Sequence, residues 1–292
     1  MPMSDAIEVA RFSRVATNGI HLHIAEAGST DGDLLFLLHG FPEFWYGWRN
    51  HISRFAAAGF RVVVPDQRGY NLSDKPKGVA AYDLDQVCAD IVGLADRFGR
   101  KTFSIVGHDW GAAVGWWTAT RHADRLERLA VLNAPHPAVW YEAMQNNPAQ
   151  RRKSWYVRFF GIRYLPELLL RQRNFLALSR SFNDVIVPEA FTPSDLRRYR
   201  AAWSQPGALT SMINWYRALL RKQLPASEQF RVRVPTLVIW GAQDAFVERE
   251  LAEASARLCD NVRVTYLERS THWVQHDEPE RVGDLLLAFL KA

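Results

Sequence analysis

Three polar residues stand at the ends of separate apolar runs, and together they could do nucleophilic chemistry. The run Thr102–Val106 ends in Gly107-His108-Asp109-Trp110-Gly111, followed by a helix-like stretch. This is the form of a nucleophile elbow, G-x-S-x-G, with Asp in place of Ser. Two glycines let the strand fold sharply into the helix, and the middle side chain is presented beside the helix N-terminus, which favours an anion. A carboxylate gains little by attacking an ester or amide, because the product is an anhydride. At saturated carbon it can displace a leaving group and form an alkyl ester. Strained epoxides and alkyl halides are the two common substrates of that kind. Opening the ester needs a base for water. After Pro235–Trp240 comes Gly241-Ala242-Gln243-Asp244, and after Val262–Leu267 comes Glu268-Arg269-Ser270-Thr271-His272. His272 could take the proton from water while Asp244 holds the far side of its ring.

The chain has nine histidines. His21 and His23 lie in a predicted hairpin, and His51 and His122 in helical stretches. His39 and His108 flank motifs at the wrong point in the chain order, and His136 and His276 are weaker rivals. The order nucleophile, acid, His (109, 244, 272) is that of triads in the α/β-hydrolase fold. That design also takes one oxyanion-hole N–H from the residue after the nucleophile and one from an early strand-end loop, here His39-Gly40-Phe41-Pro42-Glu43. The expected donors are the backbone N–H groups of Trp110 and Phe41.

Positioning these residues requires a particular set of elements. Asn18-Gly19 predicts a tight turn in a hairpin spanning 14–27. Asp33–Leu38, Arg61–Pro65, Thr102–Val106, Arg128–Leu132, Pro235–Trp240 and Val262–Leu267 are short, apolar throughout, and suited to strands buried on both faces of a parallel sheet. Helical periodicity separates them. In Asp83–Phe98, Leu84, Val87, Ile91, Leu94 and Phe98 share one face behind an Asp83 cap. Gly111–His122, Arg249–Leu258 and Pro279–Leu290 read likewise as helices. The alternation predicts a doubly wound α/β core, with ligands bound beyond the strand ends. Residues 138–230 contain no strand-like run and read as an all-helical insertion. The expected division is a core of 1–137 and 231–292 with a helical cap at 138–230.

The segments HGFPEFWYGWRN (39–50), PDQRGYNLSDKP (65–76), GHDWGAAVGWW (107–117), LNAPHP (132–137), NWYR (214–217) and THWVQHDEPE (271–280) resemble epoxide hydrolases of the α/β-hydrolase fold. The resemblance runs from about residue 14 to 290. It implies a mostly parallel eight-stranded sheet with helices on both faces and a helical cap over the site. It also implies a cis peptide at Phe41-Pro42 and two cap tyrosines that donate to the epoxide oxygen. Tyr216 in Asn214-Trp215-Tyr216-Arg217 matches the second, and Tyr156, followed by Phe159-Phe160, the first. Ring opening creates an alkoxide in an apolar pocket, where an unpaired charge is costly, and a neutral phenol can supply the proton.

Haloalkane or haloacetate dehalogenase is the alternative, since these enzymes share the Asp nucleophile and the triad. Trp110 does not discriminate. Fluoroacetate-type enzymes resemble Asp-Arg-x-x-Arg at the elbow and His-Trp in the cap, where this chain has Trp110, Ala113 and Tyr156-Val157. Both departures favour an epoxide. A non-catalytic protein of this fold would often lack a triad member, and all three are present.

Composition agrees with such an enzyme. The 292 residues are 48% hydrophobic, 12% aromatic and 23% charged, with 11 Trp, enough aromatic surface to line an apolar pocket. Two cysteines imply no disulfide framework. No run approaches the ~18 apolar residues of a membrane span, and MPMSDAIEVARFSR has no signal-peptide stretch. A cytoplasmic location is expected. The net charge of +5 is concentrated in 138–230, where 14 Lys and Arg face 6 Asp and Glu, without a long basic run. Solvated helix faces explain this better than a nucleic-acid groove. The expected partners are a small apolar epoxide and water. Neither nucleic acid nor membrane is expected as a partner, the chain is expected to be monomeric or homodimeric, and no metal or cofactor is expected.

Overall fold

Every apolar run becomes a strand of one sheet. In a computed structural model, which describes residues 9–292, the strands are β1 (Arg11–Thr17), β2 (Ile20–Ala27), β3 (Leu34–Leu38), β4 (Arg61–Pro65), β5 (Phe103–His108), β6 (Leu126–Leu132), β7 (Thr236–Gly241) and β8 (Val262–Leu267). Their order is β1-β2-β4-β3-β5-β6-β7-β8. β1 and β2 pair antiparallel, as do β2 and β4, and the remaining pairs are parallel. The strand–helix alternation anticipated the doubly wound core, and the eight-stranded, mostly parallel sheet is that of the α/β-hydrolase fold implied by the resemblance.

Strand bounds differ from expectation in several places. β1 begins at Arg11, three residues before the expected hairpin start. β3 and β7 each begin one residue late, with β7 running on through Gly241, and β5 and β6 differ by more than one residue. β5 continues through Gly107 and His108 because both pair with β6, opposite Val131 and Leu132. β6 begins two residues early, at Leu126, which pairs with Phe103. β3, β5 and β7 are buried along their whole length, as their apolar composition requires. β8 is different: it forms the sheet edge and is largely half-exposed. The Asn18-Gly19 turn takes the positive φ values its sequence favours (43° and 74°).

Helices cover both faces. Leu84–Arg97 is opened by Asp83, whose side chain accepts the Asp85 N–H at 2.9 Å, and it buries Leu84, Val87, Ile91 and Leu94. Phe98, on the same face, is half-buried just past its end. Between β6 and β7 lie Pro137–Asn146, Pro148–Lys153, Trp155–Phe160, Leu165–Arg180, Pro193–Trp203 and Ala208–Arg221, with no strand among them. Leu165–Arg180 is broken at Gln172–Phe175, where Arg173, Asn174 and Phe175 adopt left-handed backbone. Ala208–Arg221 is amphipathic and buries Leu209, Met212, Ile213, Trp215 and Tyr216.

The tryptophan content has a structural use here. Indole N–H groups fasten the helical layer to the sheet layer. Trp203 donates to the Pro42 carbonyl at 2.5 Å, Trp215 to that of Arg68 at 3.1 Å, and Trp273 to that of Ser181 at 2.9 Å. Each ring buries a large apolar area and satisfies its one donor at the same time. Among the described residues, no helix is long and apolar enough to cross a membrane.

Candidate active site

The elbow after β5 is built as its glycines suggest. Asp109 has φ 50° and ψ −118°, a conformation that non-glycine residues rarely adopt. It is sustained by close backbone packing. A Cβ on Gly111 would collide with the carbonyl of Leu38, and one on Gly40 with the Asp109 side chain itself. Asp109 is thereby held at the start of Trp110–Arg121, with its carboxylate still 19% exposed to the cavity above. The Phe41 N–H donates to its Oδ1 at 2.7 Å. Trp110 opens the helix, so its N–H has no intrahelical acceptor. Of the two expected donors, Phe41 is thus in contact with the carboxylate and Trp110 is its chain neighbour at the helix start. The Phe41-Pro42 peptide is cis.

Asp244 and His272 meet at the same end of the sheet. His272 Nδ1 lies 2.8 Å from Asp244 Oδ2, and its Nε2 lies 3.7 Å from Asp109 Oδ2. The Asp244 carboxylate can only accept, so Nδ1 carries the hydrogen and Nε2 offers its lone pair toward Asp109. Burial lowers the His272 pKa, but the charge and hydrogen bond of Asp244, with Asp109 and Glu43 behind them, outweigh it and leave the pKa raised above 6.5. Asp244 is fully satisfied. Oδ1 accepts the N–H groups of Phe246 and Val247 at 2.7 and 2.9 Å, and Oδ2 accepts Asn133 Nδ2 at 2.7 Å. Burial raises its pKa, but His272, Asn133 and the Phe246 N–H together bring it below the usual value.

The rival histidines are occupied elsewhere. His136 caps the Pro137–Asn146 helix, and burial lowers its pKa to about 3. His23 is paired with Asp66 at 2.7 Å, and His276 donates to Glu43 at 2.8 Å. His108 Nε2 donates to the His272 carbonyl at 2.9 Å.

Two residues of this site lay outside the sequence-based set. Asn133, at φ 47° just past β6, donates to Asp244 and accepts the Gly241 N–H at 2.9 Å, tying two strand ends together. Its signal was a lone amide at the end of an apolar run. Glu43 is buried beneath His272. It accepts from Tyr199, His276 and Gln275 at 2.7, 2.8 and 3.1 Å, and it lies 3.5 Å from His108 Nδ1. Burial raises its pKa, but His276 and His108 outweigh that and hold it well below the usual carboxylate range. Nothing in the sequence marks the fold-level convergence of these five side chains.

Tyr156 and Tyr216 come together above Asp109. Their rings lie 5.9 Å apart, and Tyr216 packs edge-on against Trp110 and Phe41 at 5.0 and 5.3 Å. Burial raises the pKa of both phenols. For Tyr156 the Asp109 and Asp244 carboxylates add to it, and for Tyr216 Tyr156 and Asp109 do. Other tyrosines of the helical insertion are placed otherwise: Tyr164 is 74% exposed and Tyr199 is bonded to Glu43. Asp109, Tyr156 and Tyr216 line two cavities at once. The larger, about 410 Å³, also includes His272, Phe246 and Trp273, and the smaller, about 70 Å³, includes Trp110, Trp140 and Leu219. Among the described residues no cluster of His, Cys, Asp or Glu is arranged to hold a metal ion.

Residues 33–279 match the family model for the alpha/beta hydrolase fold. The mouse protein named Epoxide hydrolase 4 is 38% identical over 286 residues, covering 96% of this chain and 79% of that protein. The chain belongs to the epoxide hydrolase family of the α/β-hydrolase fold. A Bacillus subtilis (strain 168) relative, named only as AB hydrolase superfamily protein YfhM, is 44% identical over 95% of this chain and 96% of its own length. The crystal structure of a Bacillus megaterium epoxide hydrolase in complex with an inhibitor superposes with a TM-score of 0.87 at 30% identity, covering 96% of this chain and 100% of that one. The likeness spans sheet and helical insertion alike, so the epoxide hydrolase fold here includes the helices that bring Tyr156 and Tyr216 over Asp109.

Proposed function

We propose that the protein opens a small apolar epoxide to a vicinal diol through a covalent ester on Asp109, with 138–230 acting as a cap over a core of 1–137 and 231–292. One observation carries the reading: Asp109, His272, Tyr156 and Tyr216 line a single cavity. Asp109 Oδ2, the oxygen not held by Phe41, attacks an epoxide carbon and the C–O bond of the ring breaks. Tyr156 and Tyr216 donate to the departing oxygen, and one phenol proton completes the alcohol. Their raised pKa values keep them protonated for this step at neutral pH. Water then gives a proton to His272 Nε2 and adds to the ester carbon. Asp244 stabilises the imidazolium, and the Phe41 and Trp110 N–H groups receive the oxyanion on Oδ1. Collapse expels the second diol oxygen, which takes a proton, and Asp109 is restored. The remaining proton returns to the tyrosinate, so the net reaction is epoxide plus water to diol.

Phenolic donors favour an epoxide over a halide, because a departing halide needs no proton. His272→Gln tests mechanism and substrate together. Alkylation needs no base and ester hydrolysis does, so the variant should accumulate a covalent adduct visible as added mass on the intact protein. An epoxide adds its whole mass, and a haloalkane adds its mass less the hydrogen halide. An unmodified His272→Gln protein, after exposure to a compound that the wild type turns over, means direct water attack and removes the covalent route.

A further inference from the structure

The helical layer carries an exposed apolar surface that the proposed chemistry does not use. Large hydrophobic side chains on the surface of the described chain concentrate in one stretch: Trp155, Ile162, Tyr164, Leu165, Leu168 and Leu169 are all exposed, Leu168 by 59% and Trp155 by 65%. Leu220, 45% exposed, joins them where the end of Ala208–Arg221 meets Gly161. Apolar patches of this kind mark sites that contact a partner or a membrane.

Charge identifies the partner. Residues 151–180 hold eight Lys and Arg and one acid, Glu167. Glu167 is buried in a bidentate pair with Arg217, so it does not offset the surface charge. Arg152, Arg158, Arg163, Arg171 and Arg173 are exposed in the same segment as the apolar side chains. Exposed leucine, tryptophan and tyrosine interspersed with exposed arginine is the composition of surfaces that sit in the headgroup layer of anionic membranes. A nucleic acid would use the arginines but leave the leucines in water. A second copy of this face would set like charge against like. The larger cavity reaches the same face, since Trp155 is both exposed and part of the wall that includes Asp109 and His272.

We propose that this face of the helical layer docks on anionic lipid membranes, with Leu165, Leu168 and Leu169 in the headgroup layer and the arginines on lipid phosphates. That no helix among the described residues can cross a membrane does not bear on such peripheral contact. Binding is independent of the reaction above and is read without turnover.

The test sediments the full-length protein with phosphatidylcholine vesicles, alone or with about 30 mol% phosphatidylglycerol. Partition onto the anionic vesicles should be stronger by at least about tenfold and should be largely lost at about 0.5 M salt. Leu168→Ser with Leu169→Ser, and separately Arg163→Gln with Arg171→Gln, should each weaken it roughly tenfold. These side chains are exposed and outside the cavity, so both variants should keep the wild-type melting temperature and the turnover of a small water-soluble epoxide. Equal binding to both vesicle types, no binding, or variants that bind like wild type would overturn the proposal. So would a lipid-free dimer in analytical ultracentrifugation that Leu168→Ser with Leu169→Ser dissociates, because the patch would then be covered by a second copy.

Discussion

The two halves of the active site are held by different forces. The half on the sheet is fixed by hydrogen bonds: both Asp244 oxygens are fully occupied, His272 is locked to one of them, and Asp109 is gripped by the Phe41 N–H. The half on the helices is fixed by rings packed on rings, with Tyr216 wedged among Phe41, Trp110, Phe160 and Tyr156. Hydrogen bonds fix direction, whereas close-packed rings fix shape and volume. In the proposed mechanism the chemistry that needs one geometry is thus placed on the sheet, and the groups that would meet a variable substrate are placed on the helices.

The comparison predicts a graded series of losses. Asp109→Asn should lower turnover on the order of 10⁴-fold or more while the protein stays folded, as rate assays and a melting curve will register. Tyr156→Phe combined with Tyr216→Phe keeps the packing and removes only the donors. It should cost about 10³-fold in epoxide opening with little change in melting temperature. A large drop in stability instead would mean that the hydroxyls, not the rings, hold the helical half in place.

Smaller effects probe the hydrogen-bonded half. Asn133→Ala leaves the Gly241 N–H without its side-chain acceptor and removes one of the two donors to Asp244 Oδ2, which keeps His272. It should lower stability by about 1–3 kcal/mol, measured by denaturant unfolding. The pH profile is the mildest test. His272 must be neutral to take a proton, so the ester-hydrolysis rate should rise with pH through the His272 pKa in the ester, where Asp244 still raises it but the Asp109 charge no longer does, and then level off. Asp244 is the main raising influence, so Asp244→Asn should move the midpoint of the residual activity to lower pH.

The same contrast explains what could be read from the sequence. Buried strands leave an unmistakable apolar run, and strand ends are where polar residues become conspicuous, so Asp109, Asp244 and His272 were visible in place and order. Local geometry was visible too, in the Asn18-Gly19 turn and the Asp83 cap. Contacts between distant segments were not. Glu43 draws on Tyr199, His276, Gln275 and His108, residues up to 233 positions away, and no local pattern encodes that meeting. The left-handed break at Arg173–Phe175 has no glycine to announce it. Exposure of Leu165, Leu168 and Leu169 was equally hidden, because leucines at helical spacing look alike whether they face a core or water.

The two Asp109 oxygens sit in unequal settings, which the proposed covalent route would turn into an isotopic memory. Oδ1 is pinned by the Phe41 N–H, while Oδ2 faces His272. On the covalent route, Oδ2 leaves inside the diol and an oxygen from water takes its place on the carboxylate. With enzyme in excess over substrate in heavy-oxygen water, the first diol should emerge unlabelled and the protein should keep one heavy atom, on one side chain only. The second cycle should then release that label. On that route one oxygen of the catalyst would be renewed at every turnover, and always the same one of its pair.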